Sequence, residues 1–437
     1  MKISKGMLVA GAVLAVLAGA CTQSKSRPPV GRQQGLVATA PPDIIWQFSD
    51  PSFAPLPGAR ALSGRLAGSL YEIEVPDQWN GELVMYAHGF NGYEPFLIVA
   101  PPALRRTFVQ EGFAWAASSF SDNGYDPQSG VDDTLALLDY FRQTVGRPSR
   151  VYLDGASMGG HVVVSSLEER PGVYSGALSE CGVVAGVEEM DFLLSYAAVG
   201  QYLAGQSLLP VSDISAYKQK LNAQVVPALG DPATKRLTRA GRAFESVIEN
   251  LTGGPRPFRH QGFLDRFPGD FTTTYDDLGR QTLAARAATN TTQPYAIAGG
   301  FGLSNEQLNS GVYRQGADPS ARNTETQPAF APLTGHITSP LLTLHTTGDG
   351  FVPFSAEQDY RRAVDAAGAG ELLVQRAIRR PDHCEFTDSE RRQAWDDLVA
   401  WVEQGVKPAG DDVLSPDLSQ IGLQWTNPLL PGDPGGL

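Results

Sequence analysis

Within "RVYLDGASMGGHVVVSSLEERPG", residues 150–172, Ser157 stands between Gly155 and Gly159. The apolar run "RVYLDG" reads as a short buried strand leading directly into the serine, and "HVVVSSLEERPG" reads as a helix stopped by Pro171 and Gly172. A serine on such a sharp strand-to-helix turn is lifted clear of the sheet, and only small neighbours tolerate the backbone there. That is the setting of a nucleophile. In a chain with 47 glycines the spacing alone is a weak signal. The serine must therefore be matched by a base, an acid that orients the base, and donors aimed at a developing oxyanion.

For a serine in this setting the acid and then the histidine follow later in the chain. The six histidines are His88, His161, His260, His336, His345 and His383. His88 ends an early strand, and His161 lies one turn into the helix behind the serine, where it reads as a packing residue. His260 and His336 belong with the expected cap, and His345 lies inside a strand, suited at most to a supporting role behind the reacting groups. His383 is left as the base, in a loop after the last strand. "LLTLHTTGDGFVP" places Asp349 at a strand end beside Gly348 and Gly350, which makes it the expected acid. Asp191 is the fallback, and Asp382 is too near His383 in sequence to reach round the ring. Asp349 would fix the imidazole tautomer, and His383 would take the serine proton and return it to a leaving group. The Met158 N–H, directly after the serine, and the Phe90 N–H in "HGFNG" are the expected oxyanion donors, with an ordinary glycine-rich turn as the alternative for the second.

These groups need a scaffold. "GELVMYAHGF" gives a buried strand through Leu83 to Ala87, and "GFAWAASSF" gives a second. "GVDDTLALLDYFRQTVG" spaces Val131, Leu135, Leu138 and Val145 as a helix, with Asp132 and Asp133 expected in its first turn. "YSGALSECG", "SPLLTLHTTGDG" and "ELLVQRAIRR" are further strands, with "SAEQDYRRAVDAAG" as a helix between the last two. Thr387 and Glu390 form a capping box before a helix carrying Trp395, Leu398, Val399 and Val402 on one face. Alternating strands and helices imply an α/β fold with a doubly wound, mostly parallel sheet. The core divides into residues 42–183 and 333–407. Between them, 184–332 gives helices and Thr-, Asn- and Gly-rich connections, expected as an inserted helical cap, with a separate domain as the less favoured reading. Its apolar residues Phe192, Leu193, Tyr196 and Tyr202 are expected to pack on the core and also to roof the pocket above Ser157.

The charge balance is 34 basic against 47 acidic residues, formally −13. No field attracts phosphate backbones, so nucleic acid is not an expected partner. Residues 1–21, "MKISKGMLVAGAVLAVLAGAC", combine Lys2 and Lys5 with a short apolar run and small residues, as an export signal does. Ala18-Gly19-Ala20 fits ordinary cleavage, whereas Cys21 stands where a lipidated cysteine would; lipidation is the favoured reading. Residues 22–41 read as a flexible tether, and 408–437 as an extended tail pinned through Trp425 and Leu429 or Leu430. Any membrane contact would run through the N-terminal anchor alone. With Cys21 so assigned, Cys181 and Cys384 form an even pair in an exported chain. Bridged, they would close a loop of about 200 residues, worth roughly 5 kcal/mol; two buried free thiols are the alternative.

Strand-HGF, strand-GASMGG, "GDGFVP" and "HCEF" followed by a terminal helix together resemble the alpha/beta-hydrolase superfamily, over about Gly81 to Gly182 and Ser339 to Gly405. The order Ser157, Asp349, His383 is the order that superfamily uses. The large cap and the Cys after His383 also resemble tannases and feruloyl esterases, which carry a further Cys just before the nucleophile where this chain has Ala156. The catalytic domain of prolyl oligopeptidases is similar too. The resemblance implies a serine hydrolase acting on a small or polymeric carboxylic ester through an acyl-enzyme, with no metal or organic cofactor. A serine peptidase is the alternative, and a surface-binding lipoprotein without activity is the alternative of another class.

Overall fold

Eight segments whose buried faces cannot be covered by their neighbours in sequence pair into one sheet in the computed structural model, which describes residues 53–433 apart from 270, 272–277 and 279. The strands are β1 Ala59–Leu66, β2 Ser69–Pro76, β3 Glu82–Ala87, β4 Ala114–Ser118, β5 Arg150–Ala156, β6 Gly176–Glu180, β7 Leu341–Thr346 and β8 Leu373–Ile378. Their order across the sheet is β1-β2-β4-β3-β5-β6-β7-β8. The pairs from β4 to β8 are parallel, while β1 with β2 and β2 with β4 are antiparallel. Strands β3 and β7 are buried along their whole length, as parallel strands covered on both faces must be. The export signal, the tether and the Cys21 modification expected above lie outside the described residues.

Strands β1 and β2 are absent from the expectations above, and the reason is physical. "SLYEIEVP" alternates Glu72 and Glu74 with apolar residues, which reads as a half-exposed strand, yet β2 is buried throughout. Glu74 is accommodated because Arg105 donates to it from Nε at 2.7 Å and the Trp115 indole N–H donates at 2.7 Å. A buried charge is tolerable when it is paired and hydrogen-bonded. Neither partner is near in sequence.

Helix α1, Arg105–Gln110, precedes β4, and α2, Pro127–Thr144, follows it. α2 begins earlier than its apolar spacing suggests, because Asp126 caps it by accepting the Ser129 N–H at 3.2 Å and Pro127 opens the first turn. Asp132 and Asp133 consequently lie beyond the first turn, and Asp133 is buried, accepting the Ser121 N–H at 2.6 Å. Helix α3 spans Met158–Glu169.

After β6 the chain leaves the sheet and builds α4, Glu188–Leu203, α5, Arg239–Leu251, several short helices and a two-residue hairpin, Gly230–Asp231 with Arg236–Leu237. Buried residues from Val187 to Phe330 form an apolar cluster of their own, in which Tyr196, Phe244 and Phe271 stack edge-on or face-on at 4.8 to 5.8 Å. The sheet resumes at β7, followed by α6, Ser355–Ala366, β8 and α7, Asp388–Gln404. The Thr387–Glu390 capping box closes the start of α7, and Trp401 joins Trp395 and Leu398 on its buried face.

The segment after α7 is not a surface tail. Leu418 and Ile421 pack against Phe354 and Ala377, and Trp425 is buried under the Arg376 guanidinium, 3.8 Å from its ring centroid. Leu429 and Leu430 are only half-buried. The Pro- and Gly-rich composition shows that regular structure is absent, which is a different matter from exposure.

Candidate active site

Strand β5 delivers Ser157 at the centre of the sheet, and the serine adopts φ 58°, ψ −121°, a conformation that a residue with a side chain rarely takes. The flanking glycines make the turn possible. A Cβ on Gly159 would stand 2.0 Å from the Ala87 carbonyl oxygen, and one on Gly155 would stand 2.4 Å from that of Gly159. The turn is held by backbone bonds: Ser157 N–H donates to the Glu180 carbonyl at 2.9 Å, and the Ser157 carbonyl accepts from Gly160 at 2.8 Å and Val183 at 3.1 Å.

Asp349 follows β7, where its Oδ1 accepts the N–H groups of Phe351 at 2.9 Å and Val352 at 3.0 Å. This leaves Oδ2 for His383, whose Nδ1–H donates to it at 2.6 Å. With the proton on Nδ1, Nε2 is free to accept the Ser157 hydroxyl, 2.9 Å away. Burial alone would raise the Asp349 carboxyl. The charge and hydrogen bond of His383, the charge of His345 and the Phe351 N–H together hold it below its ordinary value instead. His345 is buried with Nε2 3.8 Å from Asp349 Oδ2 and Nδ1 3.4 Å from Glu357. Burial lowers its pKa, but the nearby Glu357 and Asp349 carboxylates outweigh this and raise it.

The other acids and histidines stand elsewhere. Asp191 accepts the Thr289 N–H at 2.7 Å and pairs with Arg322. Asp382 accepts the backbone N–H of His383 at 2.8 Å rather than its ring. His88 is buried, stacked on Phe120 at 4.0 Å and hydrogen-bonded through Nδ1 to the Gly89 carbonyl at 2.6 Å. His161 is fully buried between the Tyr125 hydroxyl, 2.9 Å from Nδ1, and the Ala329 carbonyl, 2.7 Å from Nε2.

The "HGF" turn lies directly against the serine: a Cβ on Gly89 would be 3.1 Å from Ser157 Cβ. Met158 is the first residue of α3, where N–H groups have no acceptor within the helix. Phe90 and Met158 line a narrow cleft at Ser157 together with Tyr125, Val183, Glu189, Met190, Leu193, Phe351 and Val352. The floor is core and the roof is α4. Of the four cap residues expected over this cleft, only Leu193 reaches it. Phe192 faces a larger cavity between α4 and α6, and Tyr196 is sealed in the cap's own core. Met190, which the sequence did not single out, takes their place. Cys181, directly after β6, and Cys384, beside His383, are joined by a disulfide with Cα atoms 5.1 Å apart.

The strand order, the strand–serine–helix turn, and an acid and a histidine on the following strand ends define the alpha/beta-hydrolase fold. A model of the prolyl oligopeptidase family matches residues 110–227. An o-phthalyl amidase of Xanthobacter agilis is 22 % identical over 399 residues, covering 78 % of this chain and 87 % of that protein. Among solved structures, an esterase from Aspergillus oryzae superposes with a TM-score of 0.45 at 13 % identity, with 80 % of each chain covered. An acylaminoacyl peptidase from Pyrococcus horikoshii gives 0.41 at 12 % identity, over 82 % of this chain and 45 % of the other.

Proposed function

We propose that the protein is an exported serine hydrolase that cleaves carboxylic esters, with Ser157 as nucleophile, His383 as base and Asp349 as its orienting acid. The observation that carries this is the continuous hydrogen-bond chain from Asp349 Oδ2 through both ring nitrogens of His383 to Ser157 Oγ. In the first half-reaction Ser157 Oγ bonds to the acyl carbon as its proton passes to His383 Nε2, and the carbonyl π pair moves to oxygen. The Met158 and Phe90 N–H groups receive that oxyanion. Collapse breaks the bond to the leaving alkoxide, which takes the proton from Nε2. Water repeats the sequence on the acyl-enzyme, so the steps use side chains and water without metal or cofactor.

The apolar cleft of Met158, Val183, Met190, Leu193 and Phe351 suits a hydrocarbon acyl group. Amide cleavage by the same steps is the second reading, favoured by the amidase relative. A panel of nitrophenyl esters of increasing acyl length, run beside anilides and phthalyl amides, separates the two. Ser157→Ala should lower ester turnover by about 10⁴- to 10⁶-fold and abolish labelling by a fluorophosphonate; undiminished turnover would end this reading.

The Cys181–Cys384 bond supports an oxidising compartment, in keeping with export directed by residues 1–21 and an anchor at Cys21. Cys21→Ser should move the protein from the membrane fraction to the soluble one. A wild-type protein found wholly soluble with Cys21 unmodified would mean plain secretion.

A further inference from the structure

Behind the hydrogen-bonded serine and histidine lies a set of buried charges that acyl transfer itself does not use. Glu180 ends β6 with its side chain 3 % exposed, and its backbone carbonyl is the acceptor of the Ser157 N–H. Its Oε2 pairs with Nε of Arg391, which projects from the first turns of α7 with its own side chain 15 % exposed. The remaining donors of that guanidinium grip the histidine loop: Nη1 donates to the Phe386 carbonyl at 2.6 Å and Nη2 to the Cys384 carbonyl at 3.2 Å. Glu180 therefore touches the nucleophile through its main chain and the base's loop through Arg391.

The disulfide makes a parallel connection one residue further along in each segment, since Cys181 follows Glu180 and Cys384 follows His383. Both cysteines are held at positive φ, 45° and 58°, a conformation that persists only where the surroundings impose it. A histidine loop with such a residue next to the base needs fixed partners for its carbonyls, and Arg391 supplies two in one rigid plane.

We propose that Arg391, held by Glu180, is a positioning residue for His383: by fixing the carbonyls of Cys384 and Phe386 it keeps Nε2 within hydrogen-bond reach of Ser157 Oγ, a task it shares with the Cys181–Cys384 bond. This rests on the reading of Ser157 and His383 as nucleophile and base. A second carboxyl, Asp154 on β5, is fully buried near Glu180, and neither of its oxygens has a hydrogen-bond partner among the described residues. Burial first, and the Glu180 charge second, push its pKa well above the ordinary value. Burial raises Glu180 as well, but the Arg391 charge and hydrogen bond oppose that, so Glu180 rather than Asp154 is the carboxyl that answers Arg391. A guanidinium presents several donors in a fixed fork, whereas an ammonium offers a point charge. Arg391→Lys should keep the pair with Glu180 and lose the double grip on the loop.

The test compares Arg391→Met, Arg391→Lys, Glu180→Gln and Asp154→Asn in the full chain. The readouts are nitrophenyl acetate kinetics, the rate of fluorophosphonate labelling, and circular dichroism to confirm folding. Misplacing a reacting group by about an ångström costs on the order of 100-fold. Arg391→Met and Arg391→Lys should accordingly lose about 10- to 100-fold in kcat and in labelling rate, with KM within about twofold. Glu180→Gln should follow them, and the isosteric Asp154→Asn should match the wild type. Adding Arg391→Lys to a chain already carrying Cys181→Ala and Cys384→Ala should cost more than the product of the separate effects. A folded Arg391→Lys protein with wild-type kcat would overturn the inference, and it remains decisive if Arg391→Met does not fold. Ser157→Ala in parallel keeps the two readings apart: full turnover there refutes the site itself, whereas a dead Ser157→Ala beside a fully active Arg391→Lys refutes the positioning role alone.

Discussion

His161 offers a quantitative test of how α3 is joined to the far end of the inserted segment. Its Nε2–H donates to the Ala329 carbonyl at 2.7 Å, so Nδ1 carries no proton and accepts the Tyr125 hydroxyl at 2.9 Å. The Tyr125 bond requires the neutral ring, whereas the Ala329 bond would survive protonation. Burial lowers the pKa from the ordinary 6.5 to about 4, with the Ala329 bond opposing only part of this. The protonated ring is therefore disfavoured in the folded chain and unpenalised in the unfolded one. Between about pH 4 and 6.5 the unfolded state binds more protons, so stability falls as pH falls through that window and levels off below it. At about 1.4 kcal/mol per pH unit, the full loss is about 3 kcal/mol. His161→Gln cannot titrate and keeps a donor for Ala329. Urea unfolding of both proteins from pH 7 to pH 4 should show the wild type losing about 3 kcal/mol more than the variant across this range. In ¹³C-histidine NMR the His161 ring should stay neutral down to about pH 4. Parallel unfolding profiles, or a His161 ring that titrates near 6.5, would refute the reasoning.

Two further expectations concern packing. Leu193→Trp narrows the cleft at its α4 wall and should reduce kcat/KM for long acyl esters at least tenfold more than for the acetate; an unchanged chain-length profile would mean that α4 does not bound the acyl site. Trp425→Ala removes a buried ring from beneath Arg376 and should destabilise the fold by about 3–5 kcal/mol. Turnover per folded molecule should be unaltered, and an unfolding midpoint equal to the wild type would show the tail to be dispensable.

Ser157 and Asp349 were legible in the sequence because each is fixed by local chemistry at a strand end, and His383 was reached by elimination among the six histidines. Gly155 and Gly159 are required where a Cβ would meet backbone within 2.4 Å, and Asp349 sits in a turn whose N–H groups it accepts itself. The six sheet strands from β3 to β8 were legible for a similar reason, since a short apolar run carries its own burial. Whatever depended on a distant partner was not. β2 is buried because Arg105 and Trp115 answer Glu74, and α2 starts early because Asp126 caps it. Apolar spacing alone carries neither fact.

Cysteine counting allowed either a bridge or two free thiols, and the 5.1 Å approach of the Cys181 and Cys384 Cα atoms decided between them. The choice of Met190 and Leu193 over Phe192 and Tyr196 at the cleft likewise came from how α4 is rotated against the core, which its nearly all-round apolar sequence leaves open. Glu180 and Arg391 are separated by 211 residues. The sequence by itself singled out the groups proposed to perform the chemistry, because reactivity and turn geometry belong to a few adjacent residues. Only the tertiary structure decided how those groups are held in place, because that work is done by side chains brought together when the sheet closes.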